Sequence, residues 1–341
     1  MTEPVRTVTL LAGDGVGPEI TDATVRVLAA AEVPIRWEAV ETGAAAVARY
    51  GRPLPEEAIT SIRKTRVALK AQIVTPAGSA AESPNVILRK ALDLYANVRP
   101  VRNFPGRASR FDGLDLVVVR ENTEGEYAGL EHQVVHGVVE SIKVTTERAC
   151  SRIARFAFAY ANRHGRRLVT AVHKANIMKQ ADGLFLRSCR TIAKEYPTLE
   201  YRELIVDNAC MQLVMNPFQF DVILTQNFYG DLISDLCAGL AGGVGVVPGV
   251  NIGDELVVFE AIHGDAPELV GKNVANPMPL LVSALLMLRH LGLDAHAERI
   301  TAATAAVLRE GRAVTPDLGG KSGTREMADA VIARLSRSPG A

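Results

Sequence analysis

The sequence has no excess charge, few cysteines and no long apolar run, and each absence excludes a class of protein. It contains 38 Lys and Arg against 38 Asp and Glu, so the formal net charge is +0 and the isoelectric point is about 7.1. A neutral chain has no overall attraction to nucleic acid or to an anionic membrane, and we expect neither as a partner. Apolar stretches such as residues 280–288 are too short to cross a bilayer, and the first residues lack a signal-peptide pattern.

The cysteines show no paired motif. The chain has 4 of them and none forms a Cys-x-x-Cys pair; they are Cys150, Cys189, Cys210 and Cys237. This usage predicts reduced thiols in a cytoplasmic protein.

A dinucleotide fingerprint of the Rossmann type is missing as well. The segment Gly13-Asp-Gly-Val-Gly-Pro-Glu is glycine-rich, but its third glycine comes one residue early and Pro18 follows it. It therefore does not match the Gly-x-Gly-x-x-Gly pattern, and we do not interpret it as a Rossmann motif.

Apolar strand-like runs alternate with amphipathic helical runs, which predicts an α/β fold. At 341 residues, 48% of them hydrophobic, the chain is long enough for two domains with large cores. The predicted strands are 6–12, 35–41, 67–73, 94–99, 114–119, 168–172, 201–206, 222–225 and 256–259, with a β-rich arm or hairpin over 134–145. The predicted helices are 19–31, 55–65, 85–92, 147–162, 181–195, 208–215, 231–241, 280–291, 295–310 and 325–335.

The most informative segment is Asn227-Phe-Tyr-Gly-Asp-Leu-Ile-Ser-Asp, which places Asp231 and Asp235 four residues apart. On a helix, both carboxylates project from one face, one turn apart. In a partly buried site they repel each other unless a positive group lies between them, and a hard divalent cation such as Mg2+ or Mn2+ suits oxygen ligands. The alternative is a pair of solvated helix acids.

Three charged residues follow buried strands at their carboxyl ends, where ligands bind in open α/β sheets. They are Arg120, Lys174 and Asp207, and we expect them to belong to one site. Asp207 can supply a third oxygen to the cation, or it can cap the helix that follows.

A group of cationic and polar residues predicts a site for an acid with several carboxylates. Ser83 and Asn85 precede a helix whose amide groups can face an anion, and Arg89 lies on that helix. With Arg99 and Arg120 they provide guanidinium groups that grip carboxylates in a bidentate manner. The alternative for each arginine is a surface salt bridge.

Two further segments are candidates for proton transfer and for cofactor binding. A lysine near another cation, here Lys174, can have a lowered pKa, and Tyr127 can donate or shuttle a proton. The Gly- and Asn-rich loop of residues 260–277 carries His263 and Glu268 and lets the backbone approach a nucleotide.

Together these motifs resemble the isocitrate/isopropylmalate dehydrogenase family. The matching segments are Asp93-Leu-Tyr-Ala-Asn-Val-Arg-Pro, Arg120-Glu-Asn-Thr-Glu-Gly-Glu-Tyr, His173-Lys-Ala-Asn, residues 227–245 and Thr315-Pro-Asp-Leu-Gly-Gly. The resemblance covers nearly the whole chain. It implies an α/β, two-domain fold with a large mixed sheet flanked by helices, which is not a Rossmann fold. Residues 1–94 and 243–341 would form the large, cofactor-side domain, and 95–242 the small domain with a dimer-interface arm at about 125–145.

The resemblance also implies the reaction: oxidation of a 2-hydroxy acid by a nicotinamide cofactor, followed by loss of a carboxylate as CO2. Asp207, Asp231 and Asp235 would hold Mg2+ or Mn2+, Lys174 would take the hydroxyl proton, and Tyr127 would protonate the enol carbon. In this family Lys174 and Asp207 come from the partner subunit, so a homodimer is expected. The residues expected at the cofactor are Lys70, Thr75, Asn176, Glu260, His263, Gly264, Ala266, Glu268, Asn276 and Asp317.

The prediction of the substrate and the prediction of the cofactor each depend on few positions. Ser83 and Asn85 match the isocitrate enzymes, whereas homoisocitrate and isopropylmalate dehydrogenases, the alternatives, depart from this pattern. Glu268 replaces the Lys of NADP-using relatives and its carboxylate repels a 2′-phosphate, which predicts NAD. Asp265 departs from the usual Thr or Ser. A non-catalytic regulatory subunit is the remaining alternative, although the Tyr, Lys and Asp residues are all present.

Overall fold

Short runs of buried apolar residues form the strands of a large mixed sheet. A computed structural model describes residues 4–74, 82–106, 109–243, 247–264 and 266–336. The strands in this part of the chain are β1 Arg6–Leu11, β2 Ile35–Ala39, β3 Val67–Lys70, β4 Ala96–Arg102, β5 Asp115–Glu121, β6 Gly125–Val135, β7 Val138–Val144, β8 Leu168–His173, β9 Glu200–Ile205, β10 Val222–Thr225, β11 Gly249–Ile252 and β12 Val257–Glu260. The helices are α1 Gly17–Ala30, α2 Ala44–Tyr50, α3 Glu56–Thr65, α4 Pro84–Ala91, α5 Glu147–Arg163, α6 Ala181–Ala193, α7 Val206–Met215, α8 Asn227–Ala241, α9 Met278–His290, α10 Asp294–Glu310 and α11 Thr324–Leu335.

Ten strands form one sheet in the order β2-β1-β3-β12-β11-β4-β5-β10-β8-β9. The four strands at one edge run parallel to one another, as do the four at the other edge. In the centre β11 and β4 pair antiparallel with each other and with their outer neighbours β12 and β5. The large mixed sheet flanked by helices, expected from the sequence, is confirmed. Strand β4 of the predicted small domain pairs with β11 of the predicted large domain in this sheet, and the division into two domains stays a prediction.

Strand burial explains the strength of the α/β pattern. Leu116 to Val119 in β5 have no exposed surface, and β10 is buried throughout. Strands covered on both faces are near-continuous apolar runs, which is how they read in the sequence. No helix in the described ranges is long and apolar enough to cross a membrane.

The structure differs from the predicted elements at several points. Helix α2 and strand β11 were missed, because an Ala-rich seven-residue helix and a four-residue strand beginning with Gly249 carry weak signals. Strand β4 runs on through Pro100 rather than stopping before it. The register to β11 covers Ala96 to Val98 only, so at Pro100 the strand pairs with β5 alone and the missing N–H faces an unpaired side.

Several helices begin at residues other than those predicted, and two of these differences affect candidate site residues. Helix α8 begins at Asn227, four residues before the predicted start at Asp231. Helix α7 begins at Val206, so Asp207 lies in its first turn and the residue in the capping position is Ile205.

Strands β6 and β7 form a separate antiparallel hairpin, as the β-rich pattern predicts. Much of it is apolar and exposed; the exposed side chains are Leu130, Val134, Val135, Val138, Val139 and Ile142. An apolar surface of this kind is typical of an interaction site.

Candidate active site

A polar row crosses the centre of the otherwise apolar sheet. Residues opposite each other in antiparallel strands share a face of the sheet. Asn97 in β4 lies opposite Arg120 in β5 on one side and opposite Asn251 in β11 on the other. Arg99 lies on the same face as Asn97, two residues further along. The sheet therefore presents both guanidinium groups on one side, where α8 packs.

Glu260 and Lys70 extend this row as a buried ion pair. They are opposite each other in β12 and β3, and their charged atoms are 3.4 Å apart. Glu260 also accepts from Arg89 at 3.2 Å and from Asn97 at 3.4 Å. Burial alone raises the pKa of Glu260, but Arg89 and Lys70 outweigh it and hold the pKa below its usual value. Burial lowers the pKa of Lys70.

One face of helix α8 is polar and packs over Arg99 and Arg120. Asn227, Asp231, Ser234 and Asp235 are spaced i, i+4, i+7 and i+8, so they share one helix face. Asn227 accepts two hydrogen bonds from Arg120, at 3.0 and 2.7 Å. Ser234 and Asp235 accept from Arg99 at 2.6 and 2.7 Å.

Asp231 is the centre of this contact. It pairs with Arg120, lies 3.4 Å from Arg99 and accepts the phenol hydrogen of Tyr127 at 2.5 Å. Burial raises the pKa of Asp231, but Arg120, the hydrogen bond from Tyr127 and Arg99 outweigh burial and hold the pKa below its usual value. The carboxylate is therefore ionised at neutral pH. The positive group between the two acids in this structure is thus the guanidinium of Arg99. Both acids line a cavity; the Asp231 side chain is 36% exposed and that of Asp235 is 59% exposed.

Burial perturbs the partners of Asp231 too. Arg120 is 1% exposed, and desolvation followed by the nearby Arg89 lowers its pKa to about 10. Tyr127 has a raised pKa, through burial and through its hydrogen bond to Asp231. At neutral pH the tyrosine therefore keeps its proton and remains a donor.

The space between these groups is a cavity of about 290 Å³, here called the acid cavity. Its lining is Gln72, Ser83, Asn85, Val86, Arg89, Arg99, Arg120, Tyr127, Asp231, Asp235, Glu260, Ala261, Ile262 and His263. The Nε of Arg89 is buried there without a hydrogen-bond partner. An unpaired guanidinium donor is costly unless an acceptor arrives, which favours an anionic ligand.

Ser83 and Asn85 both line the acid cavity, yet Asn85 is already engaged. Its amide accepts from Lys70 at 2.9 Å and donates to the carbonyl of Ile73 at 2.9 Å. One N–H of this amide is left for a ligand. Ser83 stands at the start of α4, and its side chain makes no capping hydrogen bond to that helix.

Lys174 and Asp207 meet each other but do not line the acid cavity. Their charged atoms are 2.5 Å apart beyond the carboxyl ends of β8 and β9, at one edge of the sheet, and the Asp207 side chain is 69% exposed. Among the described residues, no group of three or more Asp, Glu, His or Cys side chains is placed to hold a metal ion. Within one chain, the expected meeting of Arg120, Lys174 and Asp207 in one site therefore does not occur.

A second cavity, of about 430 Å³, lies next to the first and is here called the loop cavity. Its lining is Val16, Ile20, His263, Gly264, Ala266, Leu269, Val274, Ala275, Asn276, Pro279, Pro316 and Asp317. His263 lines both cavities, so they are adjacent. Asn276 donates to Asp317 at 2.8 Å across the loop cavity wall.

The predicted cofactor residues divide between these places. His263, Gly264, Ala266, Asn276 and Asp317 line the loop cavity, whereas Glu260 lines the acid cavity and Lys70 is paired with it. Glu268 is exposed on a short turn whose last residue, Leu269, lines the loop cavity, and Asn176 is exposed near Lys174. Thr75 and Asp265 lie outside the described residues.

The glycine-rich segment after β1 positions the loops that border the cavities. Asp14 accepts from the backbone N–H of Ala44 at 2.7 Å and of Val74 at 3.0 Å. Gly13 has φ +66°, and a Cβ there would lie 2.2 Å from the carbonyl oxygen of Gln72. Gly13 and Asp14 thus hold the chain that leaves β3. This close contact requires glycine at position 13, and no dinucleotide fingerprint is needed to explain it.

Sequence reasoning missed several residues that build the acid cavity. Asn227 and Ser234 were visible as part of the i, i+4, i+7, i+8 stripe, once the helix is taken to begin before Asp231. Gly230 has a reason only in three dimensions. A Cβ there would lie 2.4 Å from Thr225 Oγ1 and 2.5 Å from Arg120 Cγ, so the glycine lets α8 rest on Arg120.

The fold and the two adjacent cavities define an α/β protein with a cationic cleft for an acid beside a loop-lined cleft. Residues 7–331 match the model of the isocitrate/isopropylmalate dehydrogenase family. The chain belongs to this family, and the resemblance identified from its motifs is confirmed.

Relatives and a solved structure agree with the assignment. Mitochondrial NAD isocitrate dehydrogenase catalytic subunit 5 of Arabidopsis thaliana is 50% identical over 98% of this chain and 89% of its own length. The chloroplastic 3-isopropylmalate dehydrogenase of Solanum tuberosum is 50% identical over 89% of this chain and 85% of its own. The crystal structure of isocitrate dehydrogenase from Methylococcus capsulatus has a TM-score of 0.93 at 47% identity and covers 98% of this chain and 100% of that one.

Proposed function

We propose that the protein oxidises isocitrate with NAD and releases CO2, giving 2-oxoglutarate. The observation that carries this proposal is the acid cavity, where Arg89, Arg99 and Arg120 converge beside Asp231 and Asp235. Three guanidinium groups suit a ligand with several carboxylates. The adjacent loop cavity, joined through His263, is of a size and character that suits a nucleotide.

The donor set also fits a divalent cation. Asp231 and Asp235 line the acid cavity from one helix face, and their side chains are 36% and 59% exposed, so oxygen atoms remain open to a ligand. We propose that they hold Mg2+ or Mn2+ together with Asp207 of a second copy of the chain. When bound, the ion favours ionisation of the substrate hydroxyl and stabilises the negative charge that decarboxylation leaves.

The proton-transfer roles proposed here are those that membership of the family implies. The residues of the loop cavity would hold the nicotinamide cofactor, which would supply the hydride acceptor, and Lys174 of a second copy of the chain would take the hydroxyl proton. The bond to the carboxylate then breaks, its electron pair forms the enolate, and Tyr127 returns a proton to carbon. The raised pKa of Tyr127 keeps it protonated for this step.

A homodimer completes the site. Lys174 and Asp207 lie apart from the acid cavity of their own chain and are held together near its surface. The apolar hairpin of β6 and β7 is exposed in the single chain and offers a surface for a second copy. Such a dimer would place these two residues in the partner's cavity.

NAD is proposed over NADP because Glu268 is exposed at the edge of the loop cavity. A carboxylate there accepts hydrogen bonds from ribose hydroxyls and repels a 2′-phosphate. We also propose a cytoplasmic location, on the free cysteines alone; several relatives are named as organellar proteins.

The alternative functions either use a different acid as substrate or lack catalytic turnover. Homoisocitrate or 3-isopropylmalate would occupy the same cavity, and Val86 beside Ser83 gives that wall an apolar element. Relatives named as regulatory subunits also match the chain. Retention of Tyr127, Lys174 and all three aspartates favours a catalytic chain.

One assay panel tests the proposal. The purified chain is supplied with isocitrate, homoisocitrate, 3-isopropylmalate or malate, each with NAD or NADP and with or without Mn2+, and reduced cofactor is followed at its absorbance. We expect the highest kcat/KM with isocitrate, NAD and Mn2+. Turnover of another acid but not isocitrate contradicts the substrate, and no turnover of any acid by the chain alone favours the regulatory alternative.

A further inference from the structure

A buried ion pair outside the acid cavity holds the backbone of Lys174. Asp182, in the first turn of α6, has no exposed surface. One of its oxygens accepts from the backbone N–H of Lys174 at 2.6 Å, and the other accepts from Lys143 Nζ at 2.8 Å. The proposed reaction assigns neither Asp182 nor Lys143 a role.

Lys143 connects this carboxylate to a second element. It projects from β7 of the hairpin, and its ammonium lies 3.0 Å from Gln226 Oε1 and 4.6 Å from the centre of the Tyr229 ring. Gln226 immediately precedes α8, and Tyr229 lies on that helix, which carries Asp231 and Asp235. The ammonium is thus shared between the turn that carries Lys174 and the start of the helix that carries the acids.

The turn is held from both sides. The carbonyl of Lys174 accepts from the backbone N–H groups of Ile177 and Met178, both at 2.9 Å. Asp182 accepts from the N–H of the same residue, so both backbone polar groups of Lys174 are held where its side chain leaves the end of β8. A buried carboxylate needs a counter-charge, and Lys143 supplies it.

We propose that Asp182 is a positioning residue for Lys174, and that Lys143 couples this turn to the start of α8. The inference rests on the proposed function, in which Lys174 takes the substrate proton. Because Lys174 would serve the partner's cavity while α8 serves its own, the Asp182–Lys143 pair would link the two active sites of a dimer. Misplacement of a catalytic group by about 1 Å can cost on the order of 100-fold in rate.

The chain offers a matched control at the opposite end of the same strand. Asp221 accepts from the backbone N–H groups of Arg167 and Leu168, at 2.6 and 3.3 Å, and pairs with Arg166 at 2.9 Å. It therefore makes the same kinds of contact at the amino end of β8 that Asp182 makes at the carboxyl end. Asp221→Asn should weaken folding without a specific effect on turnover.

The experiment compares Asp182→Asn, Lys143→Met, their double variant and Asp221→Asn in the full chain, measuring kcat, KM for acid and cofactor, and thermal unfolding. We expect kcat to fall at least about tenfold in each single variant with KM values within about twofold, and kcat to be unchanged in Asp221→Asn. The double variant removes both buried charges, so we expect it to stay folded even if Asp182→Asn alone does not. Its loss of kcat should be smaller than the product of the two single losses.

A failure of the proposed function and a failure of the positioning role give different results. If the wild-type chain and Lys174→Met show the same turnover, the proposed function fails. If Lys174→Met is inactive while folded Asp182→Asn or the double variant keeps wild-type kcat, the positioning role alone is overturned. A fall of kcat in Asp221→Asn equal to that in Asp182→Asn would show a structural effect and would also overturn it.

Discussion

Replacing Glu260 by Gln should remove the anion that compensates the buried cations beneath the acid cavity. Glu260 is 4% exposed and lies within 3.4 Å of both Lys70 and Arg89. In Glu260→Gln the Lys70 ammonium, with no exposed surface, keeps only the neutral acceptors Asn85 Oδ1 at 2.9 Å and Ala71 O at 3.2 Å. Loss of one partner of a buried pair costs about 3–5 kcal/mol.

The lower end of that range applies here, because the amide oxygen of Gln can still accept one hydrogen bond from Arg89 or Asn97. We therefore expect the free energy of unfolding to fall by about 3 kcal/mol at neutral pH. Urea unfolding followed by circular dichroism measures this difference.

The effect should depend on pH in a defined direction. The folded state holds the pKa of Glu260 below its usual value, so its ionised form adds stability above the pKa of the unfolded chain. That stability is lost as pH falls toward the folded-state pKa. The difference between wild type and Glu260→Gln should be at its full size between about pH 5 and pH 7 and should shrink in more acidic buffer.

Two variants separate this reasoning from a general loss of packing. Lys70→Met with Glu260→Gln removes both charges and should recover at least about half of the lost stability. Glu195→Gln removes an acid from the exposed pair with Arg155 and should leave stability unchanged. Wild-type stability of Glu260→Gln at neutral pH, or a double variant no more stable than the single one, would refute the argument.

Three further outcomes are expected. Glu268→Lys should raise kcat/KM with NADP relative to NAD, since it places a cation where the 2′-phosphate would lie; an unchanged ratio excludes a role at the ribose. Asp231→Asn should abolish Mn2+-dependent turnover and weaken Mn2+ binding measured by calorimetry, and near-normal values of both would remove Asp231 from the cation site. Gly230→Ala should raise KM for the acid by displacing Arg120, and should lower stability by about 1–3 kcal/mol; a KM equal to that of wild type would show that Arg120 had not moved.

Much of the fold was predictable because the central strands are buried on both faces. The apolar runs of β5, β8 and β10 give unambiguous signals, and the helices α5 and α10 are long. The short α2 and β11 could not be found this way. Strand β11 contains Gly249, whose missing side chain leaves room for Glu260, and that reason exists only once the strands are paired.

The candidate site was predictable where its residues repeat along one helix. The spacing of Asp231 and Asp235 predicts that they share one helix face. Arg99 and Arg120 are recognisable in the sequence because they are charges within or at the end of buried strands. Their mutual contacts were not predictable. The positive group between the acids was expected to be a metal ion, whereas in the single chain Arg99 takes that place.

The motifs of the chain were enough to identify the family by resemblance, and the periodicity of its apolar runs was enough to predict the α/β class. Only the tertiary structure decided which charges meet. Strand register places Glu260 beside Lys70 and Asn97 beside Arg120, although each pair is separated by many residues in the chain. It also separates Lys174 and Asp207 from the cavity of their own chain, since the distance between two side chains depends on how the strands are ordered in the sheet.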